Sequence, residues 1–313
     1  MRGVTVSSLV VVAWVLIVGA GSAQAEDIMG NISATKTLFE DSQLIGDVTC
    51  TMTLSPCFDF GASHIKLRLN GFTITGRAEP DNSASPTSCS TTQPANEDGI
   101  RILNQTHIQI VGPGVVRRFR RHGIFIVGTP DVATNATVRH ITSDHNCFSG
   151  LLTNAMTESV IEDIVSVRNA GNSGNSSCGG NCLVNSHNNR IRRSHFSGNG
   201  SVGPPSNDFG IGLLAGSSGN VIEDNSVGGN INGLLITVNA TGNLIRRNVI
   251  VGNPPSQISR ASGASVGFDV KDDSVVAGSG SRNILERNWC LSYSGPGPAP
   301  CANLPGPGPT DNK

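Results

Sequence analysis

One unit recurs along this chain with its Asn and aliphatic residues in step. It reads GNVIEDNSVGGNINGLLI over 219–236, GNLIRRNVIVGN from Gly242 and NNRIRRSHFSGNG from Asn188. Asn146, Asn169, Asn199, Asn230 and Asn253 hold the same place in successive units, separated by 23, 30, 31 and 23 residues, so the basic step is 23 and two steps carry inserts. Ten residues before each Asn, and before Tyr293, stands a second common position: Ala136, Ser159, Asn189, Asn220, Asn243, Asn283. Two residues further on comes an aliphatic one: Val138, Ile161, Ile191, Ile222, Ile245, Leu285. Units of this length, with short apolar runs, turn residues between them and no helical spacing, predict a solenoid of stacked strand-and-turn coils. An Asn at one corner of every coil then stacks its amide on the next, because in-register strands lie about 4.8 Å apart.

The residue after the aliphatic position tests that register. Coil by coil it is Arg139, Glu162, Arg192, Glu223, Arg246, Glu286, so the sign alternates at every step. Opposite charges on neighbouring strands gain about 0.2–1 kcal/mol per pair, whereas like charges repel. The next column, His140, Asp163, Arg193, Asp224, Arg247, Arg287, leans the same way. These basic residues therefore read as a structural ladder, and no nucleic-acid partner is expected.

Residues 1–25 combine Arg2, an apolar run from Val4 to Val18 and the small-x-small end Ala23-Gln24-Ala25, the pattern of a secretory signal peptide too short to anchor the mature chain. With 22 Lys and Arg against 23 Asp and Glu, no electrostatic partner is implied. The 38 glycines suit many tight turns, and a hydrophobic content of 37% suffices for one long, narrow core. Eight cysteines behind such a leader predict disulfides and a secreted or periplasmic location. Proximity in sequence favours Cys50 with Cys57, Cys178 with Cys182 and Cys290 with Cys301, leaving Cys89 for Cys147; a metal site on Cys178, Cys182 and His187 lacks the usual C-x2-C spacing. Residues 26–60 are expected to cap the first open edge, 61–293 to form the solenoid, and the Pro/Gly-rich 294–313 to end in a disordered tail.

The strict alternation of LRLNGFTITG from Leu67, followed by HIQIVGPGVVRRFRRHGI from His107 and then the Asn-rich coils, resembles the secreted proteins of the pectin-lyase-like superfamily, among them the periplasmic β-helix proteins named for copper-site maturation. The resemblance runs from Ile65 to Tyr293. It implies an all-β chain, a right-handed single-stranded parallel β-helix with coils of about 23 residues. It does not imply one activity, because that superfamily holds lyases, hydrolases, epimerases, phage depolymerases and proteins of no known chemistry.

The inserts in the repeat point to a site. They leave the chain between the Asn corner and the next strand, at 170–181, 200–209 and 254–266, and the long stretch Arg77–Asp98 enters the same strand column. In a registered stack such loops rise from one side and wall a groove. Alternation places Arg101, Phe125, Leu152, Val184, Gly212, Leu235 and Asp269 outward there. The resemblance implies calcium-binding acids with a basic residue in lyases, or clustered aspartates in hydrolases, but the middle of this column is apolar. Phe125 is placed to lie under a sugar ring, Arg101 and Lys271 to hold acidic groups at the two ends, and Asp208 stands near them. Asp269, Lys271, Asp272 and Asp273 offer either calcium ligands or a polar loop. The basic run Arg117, Arg118, Arg120, Arg121, His122 offers either a patch for an acidic polymer or a solvated edge. Asp144-His145-Asn146 resembles the Asp and His of uronan epimerases without their fuller motif, and otherwise reads as a solvated turn. The expected function is binding or processing of an extracellular polysaccharide, catalysis being open; the alternative is a non-catalytic structural or protein-binding β-helix.

Overall fold

The recurrent aliphatic residues point inward and meet their counterparts one coil away. Val138, Ile161, Ile191, Ile222, Ile245 and Leu285 are paired in that order by parallel bridges, and all but Leu285 are at most 1% exposed. Burying such a side chain is worth about 1.5–3 kcal/mol, so every added coil extends one continuous core. The computed structural model describes residues 24–78, 89, 96–130, 132–169, 179–200, 209–253, 268–274, 283–296 and 301. Within them the strands form a sixteen-stranded sheet and a ten-stranded sheet, joined by parallel pairing throughout. The chain is an all-β, right-handed parallel β-helix, as the repeat predicts.

The larger sheet is bent into two faces. In several upstream coils one long strand covers both, as in Gln109–Arg117 and Thr137–Asp144, whereas the coil of Lys66–Arg68 and Thr73–Thr75 is split. From Val160 onward each coil splits it into two short strands, such as Arg190–Arg192 and His195–Ser197, at a residue in the left-handed region: Asp163, Arg193, Asp224, Arg247 or Arg287. The residue that follows this bend forms a ladder of its own. Ser194 N–H donates to Asn225 Oδ1, Asn225 N–H and Nδ2 to Asn248 Oδ1, and those of Asn248 to Asn288 Oδ1, all at 3.0–3.1 Å.

The Asn ladder expected at the corner is present, and the second common position forms another. In one, Asn146, Asn169, Asn199, Asn230 and Asn253 each pass both backbone N–H and Nδ2 to the next Oδ1 at 2.9–3.1 Å. In the other, Asn189, Asn220, Asn243 and Asn283 are linked in the same way. The charge column is also in register, from Arg139 beside Glu162 to Arg246 beside Glu286. Its contacts are uneven, however. Glu223, 1% exposed, gathers Arg190, Arg246 and Arg247, and Glu162 gathers Arg192 and Arg193, while Arg139 Nε has no partner.

Residues 26–60 themselves supply strands to both sheets: Glu26–Ile32 is the outermost strand of one, Lys36–Leu38 of the other. Disulfides join Cys50 to Cys57, Cys89 to Cys147 and Cys290 to Cys301 as proximity suggests. Cys182 is disulfide-bonded too; its expected partner Cys178, the leader and the loop segments 170–178, 201–208 and 254–267 lie outside the described residues.

Candidate functional site

The ten-stranded sheet turns its outward face toward the corner from which the inserts leave. Register fixes that column as Asp59, Arg101, Phe125, Leu152, Cys182, Gly212, Leu235, Lys271 and Ser294. Two positions expected from sequence are thereby corrected by a slip of two residues. Cys182 replaces Val184, because the inward partner of Leu151 and Ile211 is Asn181 rather than an aliphatic residue. Lys271 replaces Asp269, which sits where the neighbouring coil has Gly233.

Asp269 is the buried end of the Asn ladder. Its Oδ1 accepts the N–H and Nδ2 of Asn253 at 3.1 and 3.0 Å, and its Oδ2 accepts the backbone N–H of Leu291 and Ser292 at 2.8 and 3.2 Å. A carboxylate can close this ladder because four donors converge on it, which an amide could not accept. Asp273 pairs with Lys271 at 3.0 Å and Asp272 accepts the N–H of Ser274 at 3.0 Å, so these acids do not converge on a common point. Among the described residues no three His, Cys, Asp or Glu are grouped to hold a metal ion. Asp208 lies outside the described residues.

Arg101 and Phe125 are neighbours, as expected, but both are engaged. Arg101 forks onto Asp59 with contacts of 3.2 and 2.6 Å. The Arg121 guanidinium lies 4.6 Å from the centre of the Phe125 ring, and the His122 ring lies 5.3 Å from it. The basic run is therefore spent on packing. Arg121 binds the buried Asp98 at 3.1 Å, Arg120 approaches the buried Glu97 at 3.6 Å, and Arg117 reaches Thr75 Oγ1 at 3.4 Å. His122 is buried, with Nδ1 accepting the Ser149 N–H at 3.3 Å; burial and then Arg121 push its pKa well below the usual value. Its proton accordingly sits on Nε2.

Burial raises the Asp98 carboxyl to about 6, against the opposing pull of Arg121, the His122 N–H and Arg101. A carboxyl whose pKa is raised on folding contributes stability that is complete below its unfolded pKa and lost as pH rises through the folded one. Between pH ~4 and ~7 that loss amounts to about 3 kcal/mol. Asp98→Asn, neutral throughout, should therefore gain up to about 3 kcal/mol relative to the parent over this range in paired denaturant melts; a difference that does not change with pH would contradict it.

Next to Asn146, Asp144 Oδ1 lies 2.7 Å from His145 Nδ1 and accepts from Arg168 Nε at 3.1 Å. The Asp144 and His145 side chains are 13% and 18% exposed, so this turn is a partly buried dyad rather than the solvated turn of the simpler expectation.

Sequence reasoning passed over the opposite edge of the same face. Where the strands Ile124–Val127, Leu151–Asn154 and Asn181–Val184 end, a cavity of about 510 Å³ opens, lined by Val127, Pro130, Asn154, Thr157, Asn185 and His187 among others. Ala155 and Asn185 turn the chain there with φ of 52° and 45°. Gly128 is required because a Cβ would lie 2.1 Å from the Ala155 carbonyl oxygen. His187 Nδ1 lies 2.8 Å from Ser218 Oγ, and among the described residues no group bonds the side-chain amides of Asn154 and Asn185. The residues come from three successive coils, with Thr157 and His187 at equivalent places bridged to each other, and the register brings them together.

No protein family and no curated protein matches the chain. Among solved structures, tailspike protein 2 of Escherichia coli O157:H7 bacteriophage CAB120 is 15% identical, with a TM-score of 0.50 over 86% of this chain and 37% of the tailspike. The A-module of the Azotobacter vinelandii mannuronan C-5 epimerase AlgE4 is 14% identical, with a TM-score of 0.47 over 86% of this chain and 84% of that one. The chain thus spans little more than a third of the tailspike's length, and what it shares with that protein at such identity is the fold, the parallel β-helix.

Proposed function

We propose that the chain is a secreted or periplasmic glycan-binding β-helix of the pectin-lyase-like superfamily, holding an extracellular polysaccharide on the outward face of its ten-stranded sheet. The observation that carries this reading is the cavity on that face, where the amides of Asn154 and Asn185, without a hydrogen-bond partner among the described residues, stand beside apolar Val127, Ala155 and Pro130. Cavities of roughly 300–1,000 Å³ that combine apolar walls with a few hydrogen-bonding groups are the usual form of a small-ligand site. The three disulfides Cys50–Cys57, Cys89–Cys147 and Cys290–Cys301 support an oxidising location. A glycan array probed with the chain and with Val127→Trp, whose ring fills the cavity, tests the reading. At least one polysaccharide class should bind the parent, about tenfold less with Val127→Trp. An array with no binder would favour the structural or protein-binding β-helix instead.

A second reading, processing of the glycan, rests on the Asp144–His145 dyad, since a carboxylate on Nδ1 orients an imidazole to act as a base through Nε2. Solvent deuterium appearing in a polyuronate incubated with the parent, but not with His145→Gln, would establish it; no incorporation by the parent would leave binding alone.

A further inference from the structure

We infer that the ligand is an uncharged, hydroxyl-rich glycan, and that it sits in the groove of Asn154, Asn185 and His187 rather than against Arg101 and Phe125. This rests on the glycan-binding reading and gives it a substrate class and a position.

Charge matching excludes the other end of the face. Four of the cations expected to receive an acidic sugar already have a carboxylate: Arg101 has Asp59 at 2.6 Å, Arg120 has Glu97 at 3.6 Å, Arg121 has Asp98 at 3.1 Å and Lys271 has Asp273 at 3.0 Å. A uronate arriving there would exchange one carboxylate for another and would leave Asp59 or the buried Asp98 without its partner, a loss that cancels the gain. Phe125 is no better placed, because Arg121 lies over its ring and His122 stands beside it, where a sugar would have to stack.

The groove has the opposite character. Among the described residues that line it there is no Lys, Arg, Asp or Glu. Asn154 and Asn185 each offer an amide that both donates and accepts, which matches a hydroxyl and gives no advantage to a carboxylate or phosphate. His187 adds a ring nitrogen, since Nδ1 is engaged with Ser218. Thr157 Oγ1 donates to the Val132 carbonyl at 3.2 Å and accepts the Thr134 N–H at 3.1 Å, so it holds the groove wall in place. Val127, Ala155 and Pro130 supply the apolar surface against which the C–H face of a sugar packs. The polar groups come from adjacent coils about 4.8 Å apart, so they present a row along the helix axis rather than a single point. An extended chain of sugar units fits such a row, whereas a nucleotide or acidic peptide would find no cation in it.

Calorimetric titration of the intact chain with neutral hexo-oligosaccharides and with oligouronates of equal length tests this. A neutral oligosaccharide should bind, with affinity constant within about twofold between ~0.05 and ~0.5 M salt. Asn154→Ala combined with Asn185→Gly, which suits the positive φ of that position, should weaken it by about tenfold or more. The melting temperature of the variant is measured alongside, and a loss of binding counts only if it stays near that of the parent; Asn154→Ala alone, at an ordinary strand position, provides the same readout if the double variant is unstable. Binding of an oligouronate that weakens steeply with salt and ignores Asn154→Ala would overturn the inference and leave the glycan-binding reading standing. Binding of neither class would overturn that reading itself.

Discussion

Asn230→Ala is expected to cost about 2–5 kcal/mol, far more than a change at an exposed position. Asn230 Oδ1 accepts both the N–H and the Nδ2 of Asn199 at 3.0 Å, and its own Nδ2 donates to the Phe196 carbonyl and to Asn253 Oδ1 at 3.0 and 3.1 Å. The residue is 3% exposed, so water cannot replace the lost partners. Truncation strands the Asn199 N–H, leaves Asn199 Nδ2 with only its bond to the Ser166 carbonyl, and removes the amide donor from the Phe196 and Gly228 carbonyls. Each buried orphan costs about 1–3 kcal/mol. Asn230→Asp keeps the acceptor but faces an acceptor at Asn253 Oδ1, with none of the converging N–H groups that Asp269 enjoys at the ladder's end. It should be no better tolerated than Ala. A melting temperature of Asn230→Ala unchanged from the parent would mean that the amide stack contributes nothing.

Glu223 carries the second large effect. Burial alone would raise its pKa, but hydrogen bonds from Arg246 and Arg190 outweigh that and hold it below the ordinary glutamate value. Glu223→Gln removes charge-assisted bonds worth about 1.5–3 kcal/mol, with the arginines 30–44% exposed and free to turn toward water. Glu223→Arg adds a cation at a site 1% exposed, in register between Arg192 and Arg246, for roughly another 1–3 kcal/mol. Urea melts of the two variants should therefore differ at low salt, and the excess of Arg over Gln should narrow as salt screens the row. Equal melts at low salt would contradict the register.

What the sequence disclosed, and what it hid, follows from whether a position is periodic. Asn230 and Ile222 repeat in step with their counterparts, so the ladder and core columns are legible without a structure. The alternation of Arg192, Glu223 and Arg246 likewise reports the register directly, although it does not reveal that Glu223 gathers three arginines while Arg139 gathers none. The third ladder was available in the same letters: Asn225, Asn248 and Asn288 each stand five residues after Asn220, Asn243 and Asn283. Each follows two charged residues, whose alternating signs form the stronger pattern. Asn181 caused the slip around Cys182, because an inward amide between Leu151 and Ile211 breaks the apolar rule by which inward positions are recognised; its Oδ1 and Nδ2 have no hydrogen-bond partner. The groove had no sequence signature, since Asn154 ends a strand while Asn185 and His187 lie in the turn of the next coil, and only stacking brings the two coils together.

The seat of the ligand is the claim on which the functional account depends, and amide hydrogen exchange with and without the tightest-binding glycan addresses it most directly. Added protection is predicted at Val127–Gly128, Ala155–Thr157 and Asn185–His187, where a bound ligand would slow the opening of the inter-coil backbone hydrogen bonds in the groove wall. Protection confined to Arg101, Arg121 and Phe125, with the groove segments unchanged, would contradict it.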